Sequence, residues 1–154
     1  MDEFDRQILD ALQNNSRLPH DELGDAIGLS ASAVQRRIRR LKSQGMIQRE
    51  QVIIDPQKVP GYLSAVIDVV LEAGGEQILD RFKVRLTDHP AVQQLFYVAG
   101  DIDFIVVLIA RDMGEFDTLT RTLFMTPEVR KFSSHIVIDT VKASLGVPLS
   151  TRSV

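Results

Sequence analysis

The chain contains no cysteine, so neither a disulfide nor a thiolate metal site can contribute to its fold. That absence fits a reducing compartment, and a cytoplasmic location is expected. No apolar run approaches the roughly 18 residues that a membrane-spanning helix needs, so no membrane association is expected. The opening MDEFDRQ is acidic and lacks an apolar core, so no signal peptide is expected either. Catalytic signatures are missing as well. There is no Gly-x-Ser-x-Gly elbow, no phosphate-cradling Gly loop and no His cluster, and the reading is that of a protein without enzymatic activity or cofactor. The formal net charge of -3 gives no sign of a nucleic-acid partner.

That small total conceals a division. Residues 1–60 hold nine Lys or Arg and nine Asp or Glu, whereas residues 61–154 hold nine basic and twelve acidic residues. Within the first part the basic charge is bunched. Residues 30–45, SASAVQRRIRRLKSQG, carry Arg36, Arg37, Arg39, Arg40 and Lys42 with no acid among them. Val34, Ile38 and Leu41 recur at helical spacing and form an apolar back. Ser32, Arg36, Arg39 and Ser43 lie opposite, with Gln35 and Arg40 beside them. Ser30 can cap the start, and Gly45 can end the helix in the left-handed conformation. A bunched field matters more to an anionic partner than the sum does. A helix laid in the DNA major groove needs this combination of an anchored back and a front of long donors. The competing reading is a solvated charged face.

What flanks the basic helix favours DNA. Phe4, Ile8, Leu9 and Leu12 predict a first helix with acids in its first turn, where the helix dipole favours them. Residues 21–27 predict a second, with Leu23, Ala26 and Ile27 on one side and Gly28 as its stop. About three residues then lead to the basic helix, the length of a helix-turn-helix joint. Ile47, Val52, Ile53 and Ile54 suit a strand or narrow hairpin, a wing beside the motif. Asp55-Pro56 and Pro60-Gly61 bracket a linker. The boundaries expected are a helix-turn-helix DNA-binding domain at 1–47, a wing and linker at 48–61 and a second domain at 62–154.

That second domain reads as strand, helix, strand, strand, helix, strand. The strands are expected at 63–71, 92–98, 104–110 and 132–141, and the helices at 76–86 and after Asp112, with Phe116, Leu119, Leu123 and Phe124 as the stripe. Two strand-helix-strand units in tandem make a ferredoxin-like βαββαβ sheet with both helices on one face. The fold class is therefore α+β. The other sheet face is apolar and bare, which predicts a homodimer through sheet faces or edges.

The stretch GLSASAVQRRIRRLKSQGMI resembles the winged helix-turn-helix of the leucine-responsive and asparagine-regulator (Lrp/AsnC) transcription factors. Residues 5–9 and 15–23 align with that family's first two helices. Pro19 stands where the family usually has a Ser or Thr cap. Gly24 interrupts the second helix at a cost of up to ~1 kcal/mol against Ala, which predicts a soft helix. Ala31 and Ala33 replace Pro residues often seen there. The second half resembles the family's effector-binding domain, and Val98-Ala99-Gly100-Asp101-Ile102-Asp103-Phe104 resembles its Gly-Asp turn. The resemblance covers residues 4–145. It implies amino-acid effectors bound between subunits near that turn, and dimers assembled into larger rings, often octamers.

The DNA-binding set read from the helix is Ser30, Ser32, Gln35, Arg36, Arg39, Arg40 and Lys42. Ser32, Gln35 and Arg36, near the N-terminal end, are expected at base edges. Arg39, Arg40 and Lys42 are expected at phosphates, which set register and affinity. Arg37, nearer the apolar stripe, is expected to pair locally. The effector set is Val98, Gly100, Asp101, Asp103, Met113, Thr122, His135 and Val137. For Gly100, Asp101 and Asp103 two readings stand together: a tight turn chosen for backbone geometry, and a pocket that holds an amino acid's ammonium. His135 is also readable as an outward polar residue, and Met113 and Thr122 as ordinary packing. No acid or His has clear metal-ligand spacing to the Gly-Asp pair, so no metal is expected. His20 and His89 fall in turns and receive no role. The partners expected are double-stranded DNA, a second copy of the chain and a small effector. Rival readings are an architectural DNA-binding protein without an effector and a small-molecule enzyme on the ferredoxin-like domain.

Overall fold

A computed structural model of the chain describes residues 1–54 and 58–149. Two compact units emerge: Met1–Ile53 together with Lys142–Val154, and Ile54–Val141. The sheet domain is expected at 62–154, and the described residues from Lys142 onward group with the helices.

The helical unit is α1 (Glu3–Asn14), α2 (His20–Ile27) and α3 (Ala31–Ser43). Helix α1 opens with a reciprocal cap. The Asp2 carboxylate accepts from the Asp5 amide at 2.9 Å, and the Asp5 carboxylate accepts from the Asp2 amide at 3.0 Å. Ile8, Leu23, Val34, Ile38 and Leu41 are buried together and form the core on which all three helices close. Residues 142–149 lie along α1. The Gln13 side-chain amide clasps the Val147 peptide unit, accepting from its N–H at 2.6 Å and donating to its C=O at 3.0 Å. The Leu149 amide donates to Asp10 Oδ1 at 3.4 Å.

Two expectations change here. Helix α2 starts at His20, with Pro19 at its N-cap and no side-chain cap. Pro19's φ of -57° already suits a helix start. Gly24 is buried, and a Cβ built on it would collide with the carbonyl oxygen of Leu29. The turn between α2 and α3 thus folds back onto Gly24, and the Leu29 amide donates to the Gly24 carbonyl at 2.9 Å. Gly28 supplies the left-handed cap with φ of 76°. Gly24 is therefore demanded by close packing rather than being a weak point. The expected wing is not formed among the described residues. Residues 48–54 take no strand conformation, and Val52, Ile53 and Ile54 are 76%, 83% and 67% exposed. A strand needs a ladder partner for its N–H and C=O groups, and this segment has none among the described residues. The Asp55-Pro56 breaker lies outside the described residues.

The second unit is β1 (Leu63–Leu71), α4 (Gly75–Thr87), β2 (Val92–Tyr97), β3 (Phe104–Ala110), α5 (Met113–Phe124) and β4 (Val129–Ile136). The strands form one antiparallel sheet in the order β2-β3-β1-β4, the ferredoxin-like arrangement expected. Strict alternation along β1 and β3 sends Ala65, Ile67, Val69, Phe104, Val106 and Leu108 inward, where Phe82 and Leu86 of α4 and Phe116, Leu123 and Phe124 of α5 cover them. The outward face carries Val66 and Val70 of β1, Phe96 of β2 and Ile105, Val107 and Ile109 of β3, all partly or fully open to solvent in the chain alone. The last strand begins three residues earlier than expected and ends at Ile136, so Ile138 and Val141 are exposed, not paired. Among the described residues no helix is long and apolar enough to cross a membrane.

The Gly24 geometry sets a test of sign. Gly24→Ala adds helix propensity but forces a methyl group onto the Leu29 backbone, and overpacking of this kind costs about 1–3 kcal/mol. Thermal denaturation of the full chain should show a lowered Tm for this variant. A raised Tm would mean that propensity governs the position.

Candidate nucleic-acid interface and effector pocket

Helix α3 begins where Ser30 caps it, the hydroxyl accepting from the Ala33 amide at 3.3 Å and lying 3.1 Å from the Ser32 hydroxyl. With Val34, Ile38 and Leu41 buried, the 3.6-residue period leaves Ser32, Gln35, Arg36, Arg39, Arg40 and Lys42 exposed. The five cations then divide into two classes. Arg37 bonds to Asp2 at 2.7 Å and to Asp5 at 2.9 Å, and its guanidinium lies 5.4 Å from the centre of the Phe4 ring. Arg40 Nη2 reaches both Asp5 oxygens at 2.6 Å. Lys42 pairs with Glu50 at 2.9 Å. Arg36 and Arg39 make no ion pair among the described residues.

Asp5 is the hub. Its side chain is 1% exposed and accepts from Arg37, Arg40 and the Asp2 amide. Burial pushes its carboxyl up, but the Asp2 amide and the Arg37 guanidinium outweigh that and hold it below the usual carboxylate range. Arg37 likewise holds Asp2 low. In return Asp2, and then Asp5, raise Arg37. The local pairing expected of Arg37 is present. Arg40 and Lys42, expected at phosphates, already have acidic partners. Nothing in their helical spacing reveals this, because Asp5 and Glu50 lie outside the helix.

The Gly-Asp turn joins β2 to β3. The Val98 amide donates to the Asp103 carbonyl at 2.9 Å, and the Asp103 amide to the Val69 carbonyl at 2.9 Å. Asp103 Oδ2 accepts from the Leu71 amide at 2.7 Å, so this carboxylate stitches the turn to the end of β1. Beside the turn is an open cavity of about 380 Å³. Gly100, Asp101 and Asp103 line it, together with Glu72 and the glycines that begin α4. Leu71, Ile78, Leu79 and Tyr97 provide apolar lining, and Arg130 also lines the cavity. Asp101, Glu72 and Arg130 make no side-chain hydrogen bond or ion pair among the described residues.

The structure brings three of the eight expected effector residues to this cavity and leaves five elsewhere. Val98 belongs to the turn but does not line the cavity. Met113 is exposed at the start of α5, and the Thr122 hydroxyl bonds to the Thr118 carbonyl within that helix. His135 stands on the outward sheet face, 3.1 Å from Asp68 Oδ2. Val137 lies past the end of β4, its amide bonded to the Ser64 carbonyl at 2.9 Å. The alternation of β4 points His135 away from the inner face once its register is known. Glu72, Ile78, Leu79, Tyr97 and Arg130 were not legible as site residues. Arg130 fell before the expected start of its strand.

A three-helix unit with a basic exposed helix, joined in one chain to a cavity-bearing ferredoxin-like sheet, defines a DNA-binding regulator with a ligand-binding domain. Residues 1–42 match the AsnC-type helix-turn-helix domain, and residues 64–147 match the Lrp/AsnC ligand binding domain. The chain belongs to the Lrp/AsnC family of transcriptional regulators. It is 38% identical over 150 residues to an uncharacterized HTH-type transcriptional regulator, y4tD, of Sinorhizobium fredii, covering 97% of this chain and 89% of that one. It is 31% identical over 153 residues to the glutamate uptake regulatory protein of Zymomonas mobilis, covering 99% and 93%. Among solved structures, a transcriptional regulator from Neisseria meningitidis in complex with L-Met superposes with a TM-score of 0.86 at 27% identity, covering 97% of each chain.

The depressed carboxyls of Asp2 and Asp5 fix a pH dependence. A carboxyl held low in the folded state contributes stability above its unfolded value, near 3.8, and loses it as pH falls through the folded one. Melting temperatures followed from pH 7 to pH 3 should drop as the pH falls below about 4. Asp5→Ala should cost about 2–4 kcal/mol at pH 7, by loss of the buried pair and the cap, and should flatten that acid dependence. Parallel acid profiles for the two proteins would mean that the Asp5 cluster contributes nothing.

Proposed function

We propose that this regulator reads DNA through the exposed front of α3 and adjusts that reading to a bound amino acid. The observation that carries the proposal is the division of cations on α3. Arg37 and Arg40 are fastened to α1, whereas Arg36 and Arg39 extend from the same rigid helix without an ion pair among the described residues. A fastened helix with free guanidinium groups suits DNA because the free donors meet bases or phosphates without first breaking an ion pair. Ser32, Gln35 and Arg36 address base edges and Arg39 a phosphate. Ser30 keeps its cap role, and Arg40 and Lys42 contribute positive field from within their pairs.

The amino-acid effector is supported by the L-Met complex of the Neisseria meningitidis relative and by the chemistry of the cavity beside the Gly-Asp turn. Gly100, Asp101 and Asp103 belong to that site. The domains are the helix-turn-helix at 1–47, the linker at 48–61 and the sheet domain beyond it. The protein works in the cytoplasm, as a regulator and not an enzyme. Dimers form through the outward sheet face, where Val66, Ile105, Val107 and Phe96 are otherwise left in water. Octamers are the larger assembly. Two recognition helices per dimer call for half-sites about one turn, ~34 Å, apart or a multiple of it. An effector that binds one arrangement of subunits better than another shifts the population toward it, and with it the spacing of the two helices.

Two measurements test this. The double variant Arg36→Ala, Arg39→Ala should abolish specific binding in gel shifts and lower the slope of log K against log salt by about two. Unchanged affinity would remove the assigned DNA face. Ile105→Lys should move the protein toward monomer in sedimentation equilibrium, since an unpaired ammonium cannot be buried across the seam. Unaltered mass would place the interface elsewhere.

A further inference from the structure

The cavity beside the Gly-Asp turn has a charge pattern that narrows its ligand. Its lining contains one cation, Arg130, and three acids, Glu72, Asp101 and Asp103. Arg130 arrives there by a break in register. Along β4, Val70 pairs with Lys131 but Leu71 pairs with Val129, so Arg130 is the extra residue of a β-bulge. A bulge interrupts the alternation of side chains and re-aims the one it inserts. The inserted side chain is a planar guanidinium with no partner among the described residues, a donor fork that fits a carboxylate.

The acids are not equivalent. Asp103 is occupied by the Leu71 amide at 2.7 Å. Glu72 and Asp101 remain without a side-chain partner among the described residues. Another cation nearby, Lys83, stands 5.2 Å from the Tyr97 ring centre and 3.7 Å from Asp80, so that pair adds no net charge. Leu71, Ile78 and Leu79 leave room for an apolar stem.

Building on the effector reading above, we propose that Arg130 holds the α-carboxylate of a bound amino acid, and that the cavity selects an uncharged side chain over an acidic one. The ammonium is met by Glu72 or Asp101, and the side chain lies along Ile78 and Leu79. A second carboxylate on the ligand finds Arg130 already taken and acids in excess around it, and like charges brought together in a partly enclosed site repel.

Calorimetric titration of the full-length protein with the twenty L-amino acids and L-methioninamide tests both halves. Glutamine should bind about tenfold or more tightly than its near-isostere glutamate. Methionine should exceed methioninamide by a similar factor, as the loss of one charge-assisted contact predicts. Arg130→Gln should weaken methionine about tenfold and leave methioninamide unchanged, and Arg130→Lys should retain part of the affinity. Glu72→Gln should narrow the gap between glutamine and glutamate. Amino-acid binding at full strength to Arg130→Gln, or glutamate binding as well as glutamine, overturns the inference and leaves the effector reading standing. If none of the twenty binds the unaltered protein, the effector reading fails and takes this inference with it.

Discussion

Asp5 is a carboxylate almost wholly removed from water, on the first turn of the first helix, with two guanidinium groups and a backbone amide converging on it. A buried charge is tolerable only when its partners are in place, and these come from two helices. The pairing therefore ties α1 to α3 in one rotation: Arg37 and Arg40 can meet Asp5 only when Val34, Ile38 and Leu41 face the core. That rotation decides which side of α3 remains outside, and hence that Ser32, Gln35, Arg36 and Arg39 are presented. The apolar stripe and the ion pairs specify the same helix orientation from opposite flanks. Agreement of independent local preferences is what gives a sequence one structure.

The basic helix thus contains two functions that composition merges. Arg37 and Arg40 are paired with acids, whereas Arg36 and Arg39 make no ion pair among the described residues, although all four sit within five positions. In the sheet unit the same separation applies to acids. Asp103 is committed to the backbone of β1, whereas Asp101, two residues earlier in the same turn, has no side-chain partner among the described residues. The turn reading is met by Asp103, whose carboxylate is bonded to the backbone, and the pocket reading is proposed for Asp101, which lines the cavity.

Much of the architecture was legible because it rests on periodicity. The period of 3.6 in residues 30–45 buries one face of a helix, and the β-branched apolar runs at 63–71 and 104–110 form strands, whose alternating burial only the folded sheet shows. The order of these segments was enough for a ferredoxin-like sheet, because short antiparallel connections leave few alternatives. What failed did so for want of a partner. Residues 48–54 are β-prone, yet a strand forms only where a ladder accepts it. Gly24 read as a defect because the Leu29 carbonyl that crowds it comes from the turn beyond the helix. His135 enters the effector set through the family resemblance, which places its strand near the effector, and the register that turns it to the outward sheet face is decided only by pairing with β1.

The amino-acid sequence by itself determined the helices, the strands, their order and the bunching of positive charge, since each follows from spacing within one short segment. Tertiary structure alone decided which arginines are paired, which acids are occupied and where Arg130 points. Those outcomes depend on contacts between residues 30 or more positions apart and on a one-residue slip between neighbouring strands. Spacing along a chain carries no information about which distant group will arrive to complete a charge, and only the folded core brings that group within bonding distance.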